Sequence, residues 1–439
     1  MPPKFLNMAT IAIKNVGSIK NIESLEINKV NVFMGQQSSG KSTIAKIISF
    51  CTWVEKDVSI NQSLDAYLTN ATFRKKLEEF HRLEGYFKKD SEIYYKSDVI
   101  QIQFRNEECS IEWIDRYAYK RSKIVYIPSE RNLITLPFIQ KIDLPDNNNR
   151  TFLFDWLTVR SQFNNENQVK ILDLPVAYYY VEKIGSGENH IISTDKNNPY
   201  DILLENASSG LQSLTPLIVV LKYMTEWIYE NTEDISFEKQ QKRNEMTANL
   251  LEEFIFIPFY GENYKDTIDN PIEKFNEQLT KKDPNAIFYL SSWRDIVTSL
   301  FKTFKTQFII EEPEQNLFPS TQRDLVYHLM QLITGERDHR LTITTHSPYI
   351  LYALNNCMMG YLVNTQVQDE EKNEYLANKF LSEKSWIDPK LVSIWEIEDG
   401  KLRCIQDKDN IIAENYFDQK MTELTDEYCQ MLDYYKNEE

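Results

Sequence analysis

The segment Gly35-Gln36-Gln37-Ser38-Ser39-Gly40-Lys41-Ser42 constrains this chain more than any other. Two glycines bracket four variable residues and are followed by a lysine and a hydroxyl, the pattern of a loop that wraps phosphate between a strand and a helix. Gly35 and Gly40 let the backbone reverse, so that N–H groups of Gln36, Gln37, Ser38 and Ser39 aim at phosphate oxygens. Lys41 brings positive charge to the β and γ phosphates and Ser42 offers a hydroxyl to magnesium. A helix starting there adds the positive end of its dipole. The flanks agree. Ile11 and Ile13, Leu25 and Ile27, and Val30 and Val32 alternate with polar residues as half-buried strands do, with Gly17-Ser18 as a turn. Beyond the loop, Ile44, Ile47, Ile48 and Cys51 fall on one helical stripe. An α/β fold built around a nucleotide-binding loop follows.

Three later segments complete a hydrolytic set. In TQFIIEEPEQNLFP, the apolar run Phe308 to Ile310 reads as a buried strand that delivers Glu311 and Glu312 at its end, with Pro313 closing it. In phosphoryl transfer, Glu311 would hold magnesium through water and Glu312 would orient and deprotonate the attacking water. A helix capped by Ser320 and closed by Gly335 comes next, its buried stripe formed by Leu325, Leu329, Leu332 and Ile333. The strand LTITT then ends at His346, where an imidazole can bond the γ-phosphate and report its presence. Earlier, Asn206 to Ser213 reads NASSGLQS, a serine-glycine helix start able to meet an anion. Pro216 suggests that the helix proper begins near Ser213, with Ser208 to Gln212 as a separate turn.

Between these segments, residues from about Asn61 to Lys89 read as charged helix, followed by the strands DVIQIQF and CSIEWID. KIVYI leads into Pro128-Ser129-Glu130-Arg131, and an Asn/Asp-rich loop spans Asp146 to Arg150. We expect a head over residues 1–360, with a β/helical insertion at about 60–200 and a helical one at about 235–285, and then a hairpin and helical tail over 361–439. The hairpin, VSIWEIEDGKLRCI, turns at Asp399-Gly400. The net charge of −17, from 49 basic and 66 acidic residues, excludes a uniformly basic DNA-coating surface. Cys51, Cys109, Cys357, Cys404 and Cys429 lack metal-ligand spacing and suit free thiols. No stretch approaches the roughly 20 apolar residues of a membrane span, and no targeting signal opens the chain, so a cytoplasmic protein without membrane contact is expected.

Together, GQQSSGKS, ASSGLQS, IIEEPEQNLFP and TTHSP resemble the ABC-type ATPases of the chromosome-maintenance, RecF and OLD-nuclease group, over about Ile11 to Leu354. The resemblance implies an ABC-type head, with a mixed sheet around the phosphate loop, an antiparallel β-subdomain and helical insertions. It implies ATP and Mg2+ as cofactors and a homodimer through the ATP sites, with a higher oligomer open. Carried over, Gly35, Gly40, Lys41, Ser42 and Thr43 cradle phosphate, and Ser208, Ser209 and Gly210 act on the partner's nucleotide. Glu311 holds the metal with Ser42, Glu312 is the base, His346 is the switch, and Glu314, Gln315 and Asn316 occupy the loop that crosses the dimer interface. Glutamate in place of the more frequent aspartate at 311 marks the OLD-like branch. The group's glutamine falls at Gln101, Gln103 or Gln140. The PSER segment resembles one in small bacterial ATPases of phage-defence and toxin-linked operons, where Arg131 reaches phosphate or the dimer interface, or else pairs with an acid such as Glu130.

Rival readings lose to spacing. Transporter motors place the signature close before the carboxylate strand, whereas here roughly a hundred residues intervene. A chromosome clamp needs long heptad segments that are missing. The Asp407 and Asp409 pair is too isolated, and the remaining chain too short, for a nuclease domain. The preferred expectation is an ATPase whose dimer controls a separate effector nuclease or toxin in antiviral defence. The alternative is a RecF-like DNA-binding ATPase of repair, with Arg116 to Lys123 (RYAYKRSK) as its basic, aromatic-interleaved contact.

Overall fold

The alternating segments ahead of the phosphate loop form β1 (Ala9–Val16) and β2 (Ile19–Ile27), an antiparallel pair turned at Gly17. They are followed by β3 (Val30–Gly35). Every residue of β3 is buried, as a strand covered on both faces must be. A computed structural model describes residues 8–68, 72–136, 139, 142, 144–183, 186–230, 237–367 and 379–436.

Helix α1 (Lys41–Asn61) follows the loop, then α2 (Asp65–Leu68) and α3 (Thr72–His81). The charged stretch expected to stay helical to about Lys89 stops at His81. Residues Phe87–Lys96 are strand β4 instead, paired with β1. Its buried positions include Ser91 and two residues, Ile93 and Tyr95, among charged neighbours, which hides the alternation. With β5 (Ile100–Arg105) and β6 (Glu108–Trp113) it completes an antiparallel sheet of order β2-β1-β4-β5-β6.

β7 (Ser122–Ile127) leads into a 3-10 turn at Ser129–Thr135 and helix α4 (Asn148–Arg160). The Asn-rich run read as a loop is the start of α4, because the Asn147 side-chain oxygen Oδ1 accepts from the N–H groups of Asn149 and Arg150. β8 (Val169–Lys170), β9 (Val176–Lys183), β10 (Ser186–Ser193) and β11 (Asp201–Leu203) make a second antiparallel sheet. Next come α5 (Ser209–Thr225), α6 (Phe237–Leu251), a π-turn at Glu252–Phe256, α7 (Ile257–Tyr260), α8 (Tyr264–Thr267), α9 (Pro271–Thr280) and α10 (Pro284–Phe301). The segment from α6 to α10 has a small core of its own around Ile255, Phe256 and Phe275.

The chain closes with β12 (Lys305–Glu311), α11 (Pro319–Ile333), β13 (Arg340–Thr345), α12 (Pro348–Gln366), β14 (Val392–Glu398), β15 (Lys401–Cys404) and α13 (Tyr416–Lys436). Helix α11 starts at Pro319 rather than being capped by Ser320: proline at the first position needs no N–H partner. The central sheet runs β15-β14-β3-β13-β12-β7, and every pair in it is parallel except β14 with β15. Parallel pairing brings the C-terminal ends of β3, β13 and β12 to one edge, where sheets of this kind bind ligands. Val32 and Met34 point into a core with Leu217 and Leu325, while Phe33 points into another with Ile13 and Ile44.

The hairpin at Asp399-Gly400 forms as expected. It does not belong to a separate tail. β14 pairs with β3 from Val392 opposite Val30 to Ile397 opposite Gly35, and the expected boundary near 360 falls inside α12. Gly400 (φ +74) is clipped to the β1–β2 turn, its carbonyl accepting from Lys20 N at 2.8 Å. A Cβ there would stand 2.4 Å from the Ser18 carbonyl oxygen. Gly400→Ala is therefore expected to lower stability by roughly 1 to 3 kcal/mol, read by urea denaturation. A change below about 0.5 kcal/mol would show that the hairpin is loosely held.

The five cysteines are free thiols. Among the described residues no helix is long and apolar enough to cross a membrane, and no cluster of three or more His, Cys, Asp or Glu suits a metal ion.

Candidate functional site

The phosphate loop takes the shape its glycines permit. Gly35 (φ +146), Ser38 (φ +61) and Gly40 (φ +110) all have positive φ. A Cβ on Gly35 would approach the Ile397 carbonyl oxygen to 2.7 Å, and one on Gly40 would approach Ile19 Cγ1 to 2.9 Å. The loop is thus held between β14 on one side and the β1–β2 turn on the other. Lys41, only 5% exposed, donates from Nζ to the carbonyl oxygens of Gly35 (2.9 Å) and Gln36 (2.7 Å). Thr43 is buried beneath the loop and Ser42 half-buried in the first turn of α1.

Burial lowers the Lys41 pKa to about 8, against the opposing pull of Glu312 and Glu314. The sign gives a test. An anionic phosphate favours the protonated ammonium, so binding gains nothing further below pH 8 and weakens as the free lysine deprotonates above it. Affinity for a phosphate-bearing anion should fall by up to roughly tenfold per pH unit above pH 8. Lys41→Met should abolish that slope in isothermal titration; a slope unaltered in the variant would assign the titration elsewhere.

At the end of β12, Glu311 is 3% exposed. Its Oε1 accepts from the Tyr126 hydroxyl at 2.6 Å and its Oε2 from Ser129 N at 3.4 Å. Tyr126 comes from β7, where strand pairing sets Ile309 opposite Tyr126. Sequence spacing could not reveal this partner, because the two residues meet only through sheet order. Glu312 has φ +45 and bonds Thr344 O through its N–H. Its Oε1 lies 3.5 Å from His346 Nε2. The hydrogen bond from His346 holds the Glu312 carboxyl below its ordinary range despite burial, and the charges of His346, Lys41 and Arg131 add to this. The carboxylate is therefore ionised at neutral pH and open to accept a hydrogen bond.

The loop after Glu312 is braced from within the chain. Glu314 points inward, and its Oε1 accepts from the Thr345 hydroxyl (2.9 Å) and His346 N (2.6 Å). Burial raises its pKa. It fixes the backbone that carries His346. The Gln315 side-chain oxygen is buried as well, and Asn316 O lies 3.0 Å from where a Cβ on Gly210 would stand. Within one subunit, then, this loop packs against the serine-glycine helix start.

That helix start also needs correction. Helix α5 runs unbroken from Ser209, not from Ser213, and contains Pro216. Ser208 is its N-cap, its Oγ accepting from Leu211 N at 3.5 Å. Proline removes the N–H that would bond the Gln212 carbonyl, and the Gln212 side chain folds back onto Glu205 O (2.9 Å) and Ala207 O (3.0 Å). Ser208 and Ser209 are exposed at the helix tip.

Arg131 does not point toward a phosphate or out to an interface. Fully buried, it donates from Nε to Ser213 O (3.1 Å), from Nη1 to Glu311 O (3.0 Å), and from Nη2 to Glu312 O (3.0 Å) and Pro313 O (3.2 Å). The planar fork matches a curved row of carbonyls that no point charge could serve. Nor does it pair with Glu130, which binds Arg82 through both oxygens (2.8 and 3.2 Å). Arg131 is a positioning residue that joins α5 to the glutamate loop. Gln101 and Gln103 stay on β5 in the antiparallel sheet, Gln101 accepting from the Tyr94 hydroxyl. Gln140 lies outside the described residues.

The strand order, the loop and α1 following β3, the carboxylates ending β12, the histidine after β13 and the attached antiparallel sheet make an α/β fold like that of ABC-type ATPase heads. Solved structures of that class are similar to it. An SMC head bound to the C-winged helix domain of ScpA aligns with 92% of this chain and 98% of its own, at 10% identity and a TM-score of 0.37. The SMC head domain from Thermotoga maritima aligns over 93% and 100%, at 8% identity and a TM-score of 0.35. The recombination mediator protein RecF aligns over 91% and 99%, at 12% identity and a TM-score of 0.29. Likeness this remote speaks of fold alone, and the description of the fold stands on the strand order. No protein-family model and no curated protein matches the chain.

Proposed function

We propose that the chain binds ATP with Mg2+ and hydrolyses it, as a dimer that encloses each nucleotide between the phosphate loop of one copy and Ser208, Ser209 and Gly210 of the other. The observation that carries this is electrostatic convergence at one sheet edge. Lys41, held by the Gly35 and Gln36 carbonyls, follows β3, Glu312 follows β12, and His346 follows β13 with its Nε2 3.5 Å from Glu312 Oε1. The N–H groups of Gln36 to Thr43 and the Lys41 ammonium bind the phosphates. Ser42 and Glu311 would hold the magnesium, which supplies charge neutralisation at the phosphate oxygens. The donor set suits it: a hydroxyl in the first helical turn and a carboxylate fixed in place by Tyr126 and Ser129. Glu312 takes the proton of the attacking water, and His346 orients it.

Dimerisation is tested by mixing. Lys41→Met and Ser208→Arg, each expected to be inactive alone, should regain part of the ATPase activity when combined, because a mixed dimer contains one intact composite site. A mixture that stays as inactive as its components sinks the shared-site reading.

The effector reading is preferred over DNA loading for one structural reason. The Arg116 to Lys123 run is largely engaged inside the molecule. Arg116 donates to the Gln62 side chain (2.7 Å) and carbonyl (3.1 Å), Lys123 pairs with Asp155 at 2.9 Å, Tyr119 is buried, and the Tyr117 hydroxyl bonds Glu253. With the Tyr119 ring closed to bases, exposed Lys120 and half-exposed Arg121 are what the run offers to a phosphate backbone. Co-purification of a stoichiometric nuclease or toxin would support a controlled effector in antiviral defence. Salt-steep DNA binding that stimulates hydrolysis and is lost on replacing Lys120 and Arg121 would establish the RecF-like alternative.

A further inference from the structure

We infer that the C-terminal segment of this chain forms the nucleoside subsite, with Tyr416 in the first turn of α13 as the stacking platform for the base. The inference rests on the ATP-binding reading and goes beyond it to the part of the ligand that the phosphate motif does not address. A cleft of about 450 Å³ lies against the outer arm of the phosphate loop. Its floor is Gly35 to Ser39, its second wall is the β1–β2 turn with Lys20, and its third is the hairpin end with Glu398 and Asp399. Tyr416, Gln419 and Lys420 close it.

These walls are built in advance of any ligand. The hairpin is tied to the β1–β2 turn through Gly400 O, which accepts from Lys20 N (2.8 Å) and Asn21 N (3.3 Å). The first turn of α13 is fixed by Asn415, fully buried, whose side-chain oxygen accepts from Phe417 N (3.0 Å) and whose amide donates to Asp418 (2.7 Å). Asp418 in turn accepts from the Tyr352 hydroxyl of α12. Tyr416 is half-buried and packed against the main core, so its ring is held rather than free to rotate away.

The chemistry of the cleft is divided. The phosphate loop offers donors, which suit phosphate oxygens. Glu398 and Asp399 offer only acceptors when ionised, so they repel phosphate and suit the hydroxyls of a ribose or an exocyclic amino group. The Lys420 ammonium, paired with Glu423 at 2.7 Å, lies over the Tyr416 ring 5.5 Å from its centre, so a purine would stack on Tyr416 by taking the place of this ammonium. Phosphates at the loop and a nucleoside in the cleft are the only orientation of a nucleoside triphosphate that satisfies both halves.

The test compares ATP with inorganic tripolyphosphate, which has the phosphates and no nucleoside, by isothermal titration with Mg2+. Wild-type protein should bind ATP more tightly than tripolyphosphate. Tyr416→Ala should weaken ATP by roughly 5- to 100-fold and leave tripolyphosphate unchanged. Lys420→Ala, on the helix surface and safe for folding, should weaken ATP in the same selective way by a smaller factor. Equal affinity of wild-type protein for the two ligands, equal loss of both in Tyr416→Ala, or unchanged ATP affinity in both variants would overturn the subsite while leaving phosphate binding intact. Wild-type protein that binds neither ligand would instead overturn the ATP-binding reading itself.

Discussion

Glu312→Gln is expected to lower ATP turnover by roughly 10²- to 10⁴-fold, the usual contribution of a positioned general base. ATP binding should persist. The amide keeps the shape of the carboxylate, and the backbone bond from Glu312 N to Thr344 O is indifferent to the side chain. What is lost is the acceptor for the proton of water, together with the charge that draws His346 to within 3.5 Å. The variant should therefore hold ATP without consuming it and accumulate as an ATP-bound dimer. Phosphate release measured beside nucleotide affinity separates the two effects. Turnover reduced less than about tenfold would remove Glu312 from the base role.

Arg131→Met should produce the largest loss of stability of any single change in the site, about 3 to 5 kcal/mol in chemical denaturation. Methionine keeps the apolar stem but withdraws donors from the carbonyls of Ser213, Glu311, Glu312 and Pro313, and each buried acceptor left unpaired costs about 1 to 3 kcal/mol. Burial lowers the arginine pKa to about 10, so it is still charged at neutral pH and its hydrogen bonds are charge-assisted. Arg131→Lys should recover little, since one ammonium cannot span this row of acceptors. A loss below about 1 kcal/mol in Arg131→Met would show that the brace is incidental.

The sequence exposes what is local. Gly35, Gly40 and Lys41 follow one another along the chain, and their positive φ values and buried ammonium are consequences of the motif itself. Glu311, Glu312 and His346 are legible because each ends an apolar strand, and parallel pairing does the rest. Contacts between distant segments are not legible. Nothing near Tyr126 announces that it will hold Glu311, and nothing in PSER distinguishes an arginine that serves carbonyls from one that serves phosphate. β4 is hidden by charge on its open face, and the role of β14 is hidden because its partner β3 precedes it by most of the chain. Pro216 misleads in the other direction: a local rule against proline in helices yields to a helix held by its surroundings.

Arg131 also sets a condition on how the chain reaches this structure. Its acceptors lie 82 residues away in α5 and 180 to 182 residues away, at the end of β12 and just past it. Contacts of such separation form only after long loops have closed, late in assembly. Until then a collapsed core would bury a guanidinium without partners, which is strongly unfavourable. Compact states in which β12 has not yet docked beside β7 are therefore disfavoured, and the completed bonds act mainly by slowing unfolding. The residue that aligns the two halves of the site is thus also a checkpoint against incomplete cores.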